Sequence, residues 1–369
     1  MSTNPKARAW LEVRADALLA NYDRVRASVG PGVRILPMVK ANAYGLGAEQ
    51  VVACLEDRDP WGYGVAAVSE GVALRDAGVT RPIVVCSPVP PSDADQVAEA
   101  SLQPFVGSVR GLERLSDAAA RRGVTIDWHL DVDTGMGRSG FPAELTDAWL
   151  DDVTRERPGL RLVGVDTHLH SADENADSIH AQWALLAEVV DRIGLPEDGA
   201  VHILNSAGAL RTPEYARSMV RPGIFLYGGG IGDDLPRPDP VVSMKAAVGH
   251  VRDAKPGTTL GYGSTYAATS EERWATLTIG YGDGLPRALS NRGEALVEGA
   301  RVPIIGRISM DVTVVNITGV SGVDVGSVAT LIGRDGQDVV SVDQVAAWAD
   351  TISYEVLTGL TGRLPRVWT

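Results

Sequence analysis

Along the first part of the chain, short β-branched or aromatic runs alternate with longer stretches whose apolar residues recur at helical spacing. The runs predict strands at 33–40, 61–67, 82–86, Gln103–Val106, 125–131, 162–168, 201–205 and 219–226. The stretches between them predict helices, among them 93–100, Val109–Arg122 and 181–193. A short strand at 10–13 comes first, and a helix starting at Asp16 follows it with Leu18, Leu19, Tyr22 and Val25 on one face. Eight strands with intervening helices, in the ~250 residues such folds use, predict an α/β fold of the TIM-like (β/α)8 barrel kind. An open doubly wound sheet would leave two or more of these strands without a place.

The pattern changes after Gly232, where GDDLPRPDP reads as a linker. Segments at 241–251, 274–279, Glu294–Val297, 302–305, 313–317 and 327–332 are short, β-branched and separated by glycine turns. They predict an all-β domain, with a helix near its end at Val342–Ala349. The expected domains are therefore a barrel at 12–235 and a β domain at 236–369, and a length of 369 residues suits two cores better than one. No internal repeat beyond the βα alternation and no low-complexity segment interrupts this reading.

Composition narrows the class. With 44% hydrophobic and 22% charged residues the chain resembles a soluble globular enzyme. Thirty-four basic against 47 acidic residues give a net charge of -13 with no basic cluster, which argues against a nucleic-acid surface. Cys54 and Cys86 stand in no metal-ligand spacing, as expected of reduced thiols in a cytoplasmic protein. The N-terminal residues lack the apolar core and cleavage site of a signal peptide, and no apolar run approaches the ~20 residues of a membrane span.

Barrel active sites form at the C-terminal ends of the strands. The polar residues expected there are Lys40, Asp131 with Arg138, His168, Asn205 with Ser206, and Arg221 with Gly223. Lys40 ends an apolar run and is followed by a glycine-rich turn; burial there would lower its amine pKa and free the lone pair to attack a carbonyl. A solvated lysine that simply ends a strand is the plain alternative. The loops after the seventh and eighth strands, 205–208 and 221–224, offer hydroxyl and backbone N–H groups suited to a phosphate. In the second domain, GYGSTY at 261–266 reads as an exposed loop carrying phenols, and GRISMD at 306–311 as a turn after a strand. Interface packing is the plain reading of either taken alone. His168 and His170 form a His-x-His pair that, with His129 and His202, would allow a metal-dependent hydrolase. His129 and His202 fall early or mid-strand, so these histidines read as core or surface residues and no metal is expected.

Nine segments, taken in order, resemble those of alanine racemases: VKANAYG, DTGMGRSG, THLHSADE, NSAGAL, RPGIFLYG, GYGSTY, IGYGDG, GRISMD and SYEVLTGL. The resemblance runs from Trp10 to Arg366. It implies a barrel that binds pyridoxal 5'-phosphate (PLP) and a β domain that also takes in the first strand, 1–11. The implied activity is racemisation of L- and D-alanine by two bases, in a cytoplasmic homodimer that shares its active sites and supplies D-alanine for peptidoglycan precursors. By the same resemblance Lys40 is the Schiff-base lysine and the base acting on the D-enantiomer, and Tyr266 of the partner subunit is the base acting on the L-enantiomer. The phenol needs cationic and imidazole neighbours to act near neutrality, and His168 would join its network while lying on the PLP ring. Arg221 faces the pyridine nitrogen; Tyr44, Ser206, Gly223, Ile224 and Tyr354 hold the phosphate; Arg138 and the Met310 N–H take the substrate carboxylate. Many members carry a carbamylated lysine where this chain has Asp131, so Asp131 is expected to hold Arg138 directly or through water. Leu46 and Leu285 replace residues that line the entrance in many members, which leaves room for another small substrate such as serine. A PLP decarboxylase and a lone-barrel PLP-binding protein fit the second-domain segments less well.

Overall fold

The computed structural model describes residues 7–369. The sequence readings that touch residues 1–6, the start of the first strand and the absence of a signal peptide, lie outside the described residues. Strand β1 (Ala9–Val13) and helix α1 (Ala15–Val29) lead into eight parallel strands: β2 (Arg34–Ile35), β3 (Tyr63–Val65), β4 (Ile83–Val85), β5 (Gln103–Val106), β6 (Ile126–Asp133), β7 (Leu160–Asp166), β8 (Ala200–His202) and β9 (Met219–Val220). From β3 to β8 each pairs with the next. The ring closes where β9 pairs with β2, the Gly64 N–H donates to the Pro37 carbonyl at 2.9 Å, and the Arg221 N–H donates to the Leu204 carbonyl at 2.9 Å. An open sheet is thereby ruled out.

Prolines cut two strands well short of their apolar runs. The run at 33–40 contains Pro37, which has no N–H to give a ladder, so regular pairing stops at Ile35 and resumes only as a bridge from Met38 to Gly64. Pro222 likewise ends β9, and Ile224–Tyr227 turns into a 3-10 helix. The helices follow their apolar faces. Val109–Arg122, for example, buries Leu112, Leu115, Ala118 and Ala119, is capped by Ser108 accepting the Gly111 N–H, and ends at Gly123 with φ +68°. Leu36, Val84, Phe105, Ala200 and Met219, drawn from β2, β4, β5, β8 and β9 or their ends, form a separate buried cluster.

The second domain is a closed β barrel. Its six strands are β10 (Val242–Ala254), β11 (Glu272–Leu277), β12 (Glu294–Val297), β13 (Ala300–Ile305), β14 (Thr313–Asn316) and β15 (Val328–Asp335), and β15 closes the ring by pairing with both β12 and β10. Strand β1 adds antiparallel to β10, Ala9 opposite Ala246, and the last strand, β16 (Arg366–Trp368), adds parallel to β1. The chain's first described strand thus belongs to its second domain.

Candidate active site

Lys40 does not end a strand. It opens a single turn, Lys40–Tyr44, in which Ala41, Asn42, Ala43 and Tyr44 have φ of 53°, 54°, 52° and 53°. Left-handed backbone costs an L-residue ~1–2 kcal/mol, so contacts from outside must hold four such residues in a row. Asn42 supplies two acceptors, its Oδ1 for the Ala48 N–H at 2.9 Å and its carbonyl for the Gly47 N–H at 3.0 Å. Glu70 Oε1 accepts the Ala41 N–H at 2.6 Å. The Tyr44 ring stacks on Tyr227, centroids 4.6 Å apart, and the Tyr227 hydroxyl donates to the Met38 carbonyl at 2.8 Å. The turn delivers Lys40 into a pocket at the strand ends that it shares with Arg138, His168 and Arg221, and with Tyr44, Ser206, Gly223, Ile224 and Tyr354. Burial holds the Lys40 amine below its ordinary pKa, Arg138 and Arg221 push the same way, and Cys86 and Glu70 oppose them.

Arg221 is fixed by its own hydrogen bonds. One terminal nitrogen donates to His202 Nδ1 and to the His202 carbonyl, both at 2.7 Å, and the other to the Thr167 carbonyl at 2.7 Å. A guanidinium only donates, so His202 Nδ1 carries no proton, and the remaining tautomers follow. His202 donates from Nε2 to His129 Nδ1 at 2.9 Å, and His129 donates from Nε2 to Gln103 Oε1 at 3.2 Å. Burial first, and then the Arg221 charge, keeps both rings neutral, His129 down to about 3. The two histidines are core residues, as the sequence suggested, but core residues that orient the one buried guanidinium of the pocket. His168 is likewise held down to about 3, by burial and by Arg221, Arg138 and Lys40, so it enters the pocket as a neutral imidazole.

The opposite end of the pocket is built for an anion. The Ser206 hydroxyl oxygen accepts the Gly223 N–H at 2.8 Å, which leaves its own proton free to point outward. A Cβ at position 223 would fall on the Tyr44 hydroxyl and 3.0 Å from Tyr44 Cζ, so only glycine lets this backbone approach so closely. The hydroxyls of Tyr44 and Tyr354 feel burial and neighbouring charge but no hydrogen bond, and burial pushes Tyr354 up to about 12. These unspent donors, with a reactive amine on one wall and a fixed guanidinium on another, fit pyridoxal phosphate. Asp166, another residue of the pocket lining, keeps a buried Oδ1 with no hydrogen-bond partner among the described residues.

Of the other sequence expectations, a direct contact of Asp131 with Arg138 and the entrance positions of Leu46 and Leu285 need correcting. Asp131 reaches the pocket, but its Oδ2 accepts from the Ser139 hydroxyl at 2.8 Å rather than from Arg138, because the aspartate is short and Arg138 extends from an exposed loop. Arg138 acts on it only at longer range. Tyr266 and Met310 do not line the pocket of their own chain. The Tyr266 hydroxyl donates to Glu272 Oε2 at 2.9 Å, and burial together with that bond raises its pKa; the cationic and His168 neighbours expected of it were those of the partner's site. Leu46 and Leu285 are 0% and 1% exposed and sit in the core instead of at an entrance. His168 and His170 diverge, the latter hydrogen-bonding Ser171, and among the described residues no three His, Cys, Asp or Glu side chains gather as a metal site.

Sequence reasoning missed Asp166, Cys86 and Glu70. Asp166 is the register partner of both Asp131 and His202, a relation visible only once the strands are aligned. Cys86 closes the third stave, and burial pushes its thiol up to about 12, which makes it wall rather than nucleophile. Glu70 carried a readable sign, since an acid at the third position of a helix favours capping.

Two family models match the chain: the alanine racemase N-terminal domain over residues 13–230 and the alanine racemase C-terminal domain over residues 241–368. The alanine racemase of Halothermothrix orenii is 36% identical over 366 residues, covering 97% of this chain and 96% of its own. Among solved structures, alanine racemase from Bacillus anthracis with bound L-Ala-P superimposes with a TM-score of 0.91 at 32% identity, covering 100% of this chain and 96% of that one. The enzyme from Bartonella henselae with covalently bound pyridoxal phosphate gives 0.89 at 28% identity, covering 98% and 100%. A pocket with a depressed lysine and a locked arginine, in a chain matched by both domains of one family and by relatives of its own length, leads to one assignment: the chain belongs to the alanine racemase family.

Proposed function

We propose that the protein interconverts L- and D-alanine with pyridoxal 5'-phosphate held at the mouth of its (β/α)8 barrel. The observation that carries the reading is the meeting, in one pocket, of the depressed Lys40 amine with Arg221, His168 and the donor set from Ser206 to Ile224. When bound, the cofactor delocalises the electron pair left behind as the α-proton departs. Lys40 holds the cofactor's carbonyl carbon and serves one face of the substrate as base, a role its lowered basicity suits. Tyr44, Ser206, Gly223, Ile224 and Tyr354 hold the phosphate, supported by the unspent hydroxyls and the close approach at Gly223. Arg221 sets a permanent charge against the ring nitrogen and disfavours a proton there, so the α-proton is returned to the carbon it left. Arg138, exposed at the pocket rim, takes the substrate carboxylate.

The opposite face needs a second base. Tyr266 does not line its own chain's pocket, and Tyr262 and Met310 are 70% and 52% exposed on the same domain, so Tyr266 and the Met310 N–H serve a second copy of the chain. In that homodimer the unit at 12–235 binds the cofactor, and the unit at 236–369, with the first strand, completes the other copy's site. A cytoplasmic setting, with D-alanine going to peptidoglycan precursors, accords with two unbridged cysteines. Among the described residues no helix is long and apolar enough to cross a membrane.

The test is chiral analysis of alanine and serine after incubation of each L-enantiomer with the PLP-loaded protein. D-Alanine should form and be lost in Lys40→Ala and in Tyr266→Phe. Mixing those two inactive variants should restore up to about a quarter of wild-type activity, because half of random dimers are hybrids and each hybrid has one intact site. No recovery on mixing, with subunit exchange verified, would remove the shared-site reading.

A further inference from the structure

We infer that Glu70 is the positioning residue of Lys40: its two carboxylate oxygens tie the left-handed lysine turn to the loop after β3 and fix the direction in which the amine leaves the backbone. The inference rests on the proposed role of Lys40. Glu70 Oε1 accepts the Ala41 N–H at 2.6 Å, while Oε2 accepts the N–H groups of Ala66 at 2.9 Å and Ala67 at 3.1 Å. The Ala41 N–H belongs to the peptide plane that follows the Lys40 α-carbon, so anchoring it sets the last free backbone torsion of the lysine. The preceding plane is already held, because its Val39 carbonyl accepts the Ala43 N–H at 2.8 Å. One anchor comes from within the turn and the other from Glu70.

Helix capping alone does not account for this geometry. Glu70 is the third residue of helix Val68–Asp76, whose N-cap, Ala67, has no side-chain acceptor to offer. A capping glutamate reaches back to its own helix start, as Oε2 does here. Oε1 instead crosses to a turn 29 residues earlier in the chain. Both oxygens accept and neither donates, and this has a chemical consequence. A glutamine has one acceptor oxygen and an amide NH2 that would point at another N–H, so it can serve the helix or the lysine turn but not both.

Glu70→Gln therefore separates capping from positioning. Hydrogen exchange by mass spectrometry on cofactor-free protein should show the amides of 41–45 exchanging at least about tenfold faster, with the rest of the barrel unchanged. In PLP-loaded protein kcat should fall about tenfold, with KM for alanine within about twofold, since the lysine is misdirected while the carboxylate site is intact. If Glu70→Gln proves unstable, the same measurements are made with Ala67→Ser added, which gives the helix a cap of its own. Exchange at 41–45 equal to wild type, faster exchange confined to 68–76, or faster exchange at 41–45 with unchanged kcat would each overturn the inference. Wild-type protein that racemises nothing refutes the proposed function instead, and the exchange result on cofactor-free protein still decides whether Glu70 holds the turn.

Discussion

Gly223→Ala would load strain directly onto the end of the pocket proposed to hold the phosphate. The new Cβ falls on the Tyr44 hydroxyl, 3.0 Å from Tyr44 Cζ and 3.5 Å from Met38 Cβ. Carbon contacts are optimal at about 3.5–4.0 Å, so the phenol must retreat by roughly 1 Å. It has little freedom to do so: the ring is stacked on Tyr227, Tyr227 is fastened to the Met38 carbonyl, and the backbone at Tyr44 is left-handed. Gly223 is equally constrained by its N–H on Ser206. Overpacking of this kind costs ~1–3 kcal/mol. Placed on the site, that is about a 5- to 140-fold loss of PLP affinity at ~1.4 kcal/mol per decade. Titrating PLP into cofactor-free protein and following the absorbance of the bound form measures it, with the thermal midpoint of the cofactor-free protein as control. An affinity within twofold of wild type would refute the reasoning, whether or not the midpoint had moved.

Two further outcomes follow from buried polar groups. His202→Leu removes one acceptor from a guanidinium that is 4% exposed and leaves His129 Nδ1 without its donor. The cost should be ~2–5 kcal/mol, seen as a lower thermal midpoint and a reduced kcat, and an unchanged midpoint would show that the histidine chain does not hold Arg221. Asp166, fully buried beside Asp131, has its carboxyl raised well above the ordinary range, first by burial and then by that neighbour. The folded state therefore keeps a proton that the unfolded chain releases, and the stability this gives is complete below the unfolded value near 3.8 and lost as pH rises through the folded one. Asp166→Asn should flatten that decline and make cofactor-free protein at least as stable as wild type at pH 7–8; a less stable variant there would mean the carboxylate is ionised and useful.

The barrel was legible because buried parallel strands are written as apolar runs, and Gln103–Val106 could be bounded from such a run alone. The run before Lys40 is less regular than its β-branched residues suggest, because Pro37 has no proton to give its neighbour. The left-handed turn was not legible: Ala41, Ala43 and Tyr44 have no intrinsic taste for positive φ, and the bonds that impose it come from Glu70 and from the chain beyond Gly45. Lys40, His168, Ser206 and Arg221 could be gathered because strand ends converge in a barrel. Asp166 and the pair His129–His202 could not, since what matters about them is which strand lies beside which. The surroundings of Tyr266 were beyond reach for another reason: its own chain gives it Glu272, and on the proposed function its working neighbours are those of a second copy.

The placement of β1 has a bearing on synthesis. Ala9 emerges from the ribosome long before Ala246, the residue it pairs with, and the whole (β/α)8 ring is translated in between. The ring can close while β1 still lacks its sheet, and the β domain cannot be finished until β10 arrives to collect it. Until then an apolar strand, with Trp10, Leu11 and Val13 all 2% exposed or less in the finished fold, stays open to any other edge it meets. Maturation of this protein thus includes a waiting period whose length is set by translation, and a nascent chain is most exposed to mispairing while its first strand has no neighbour.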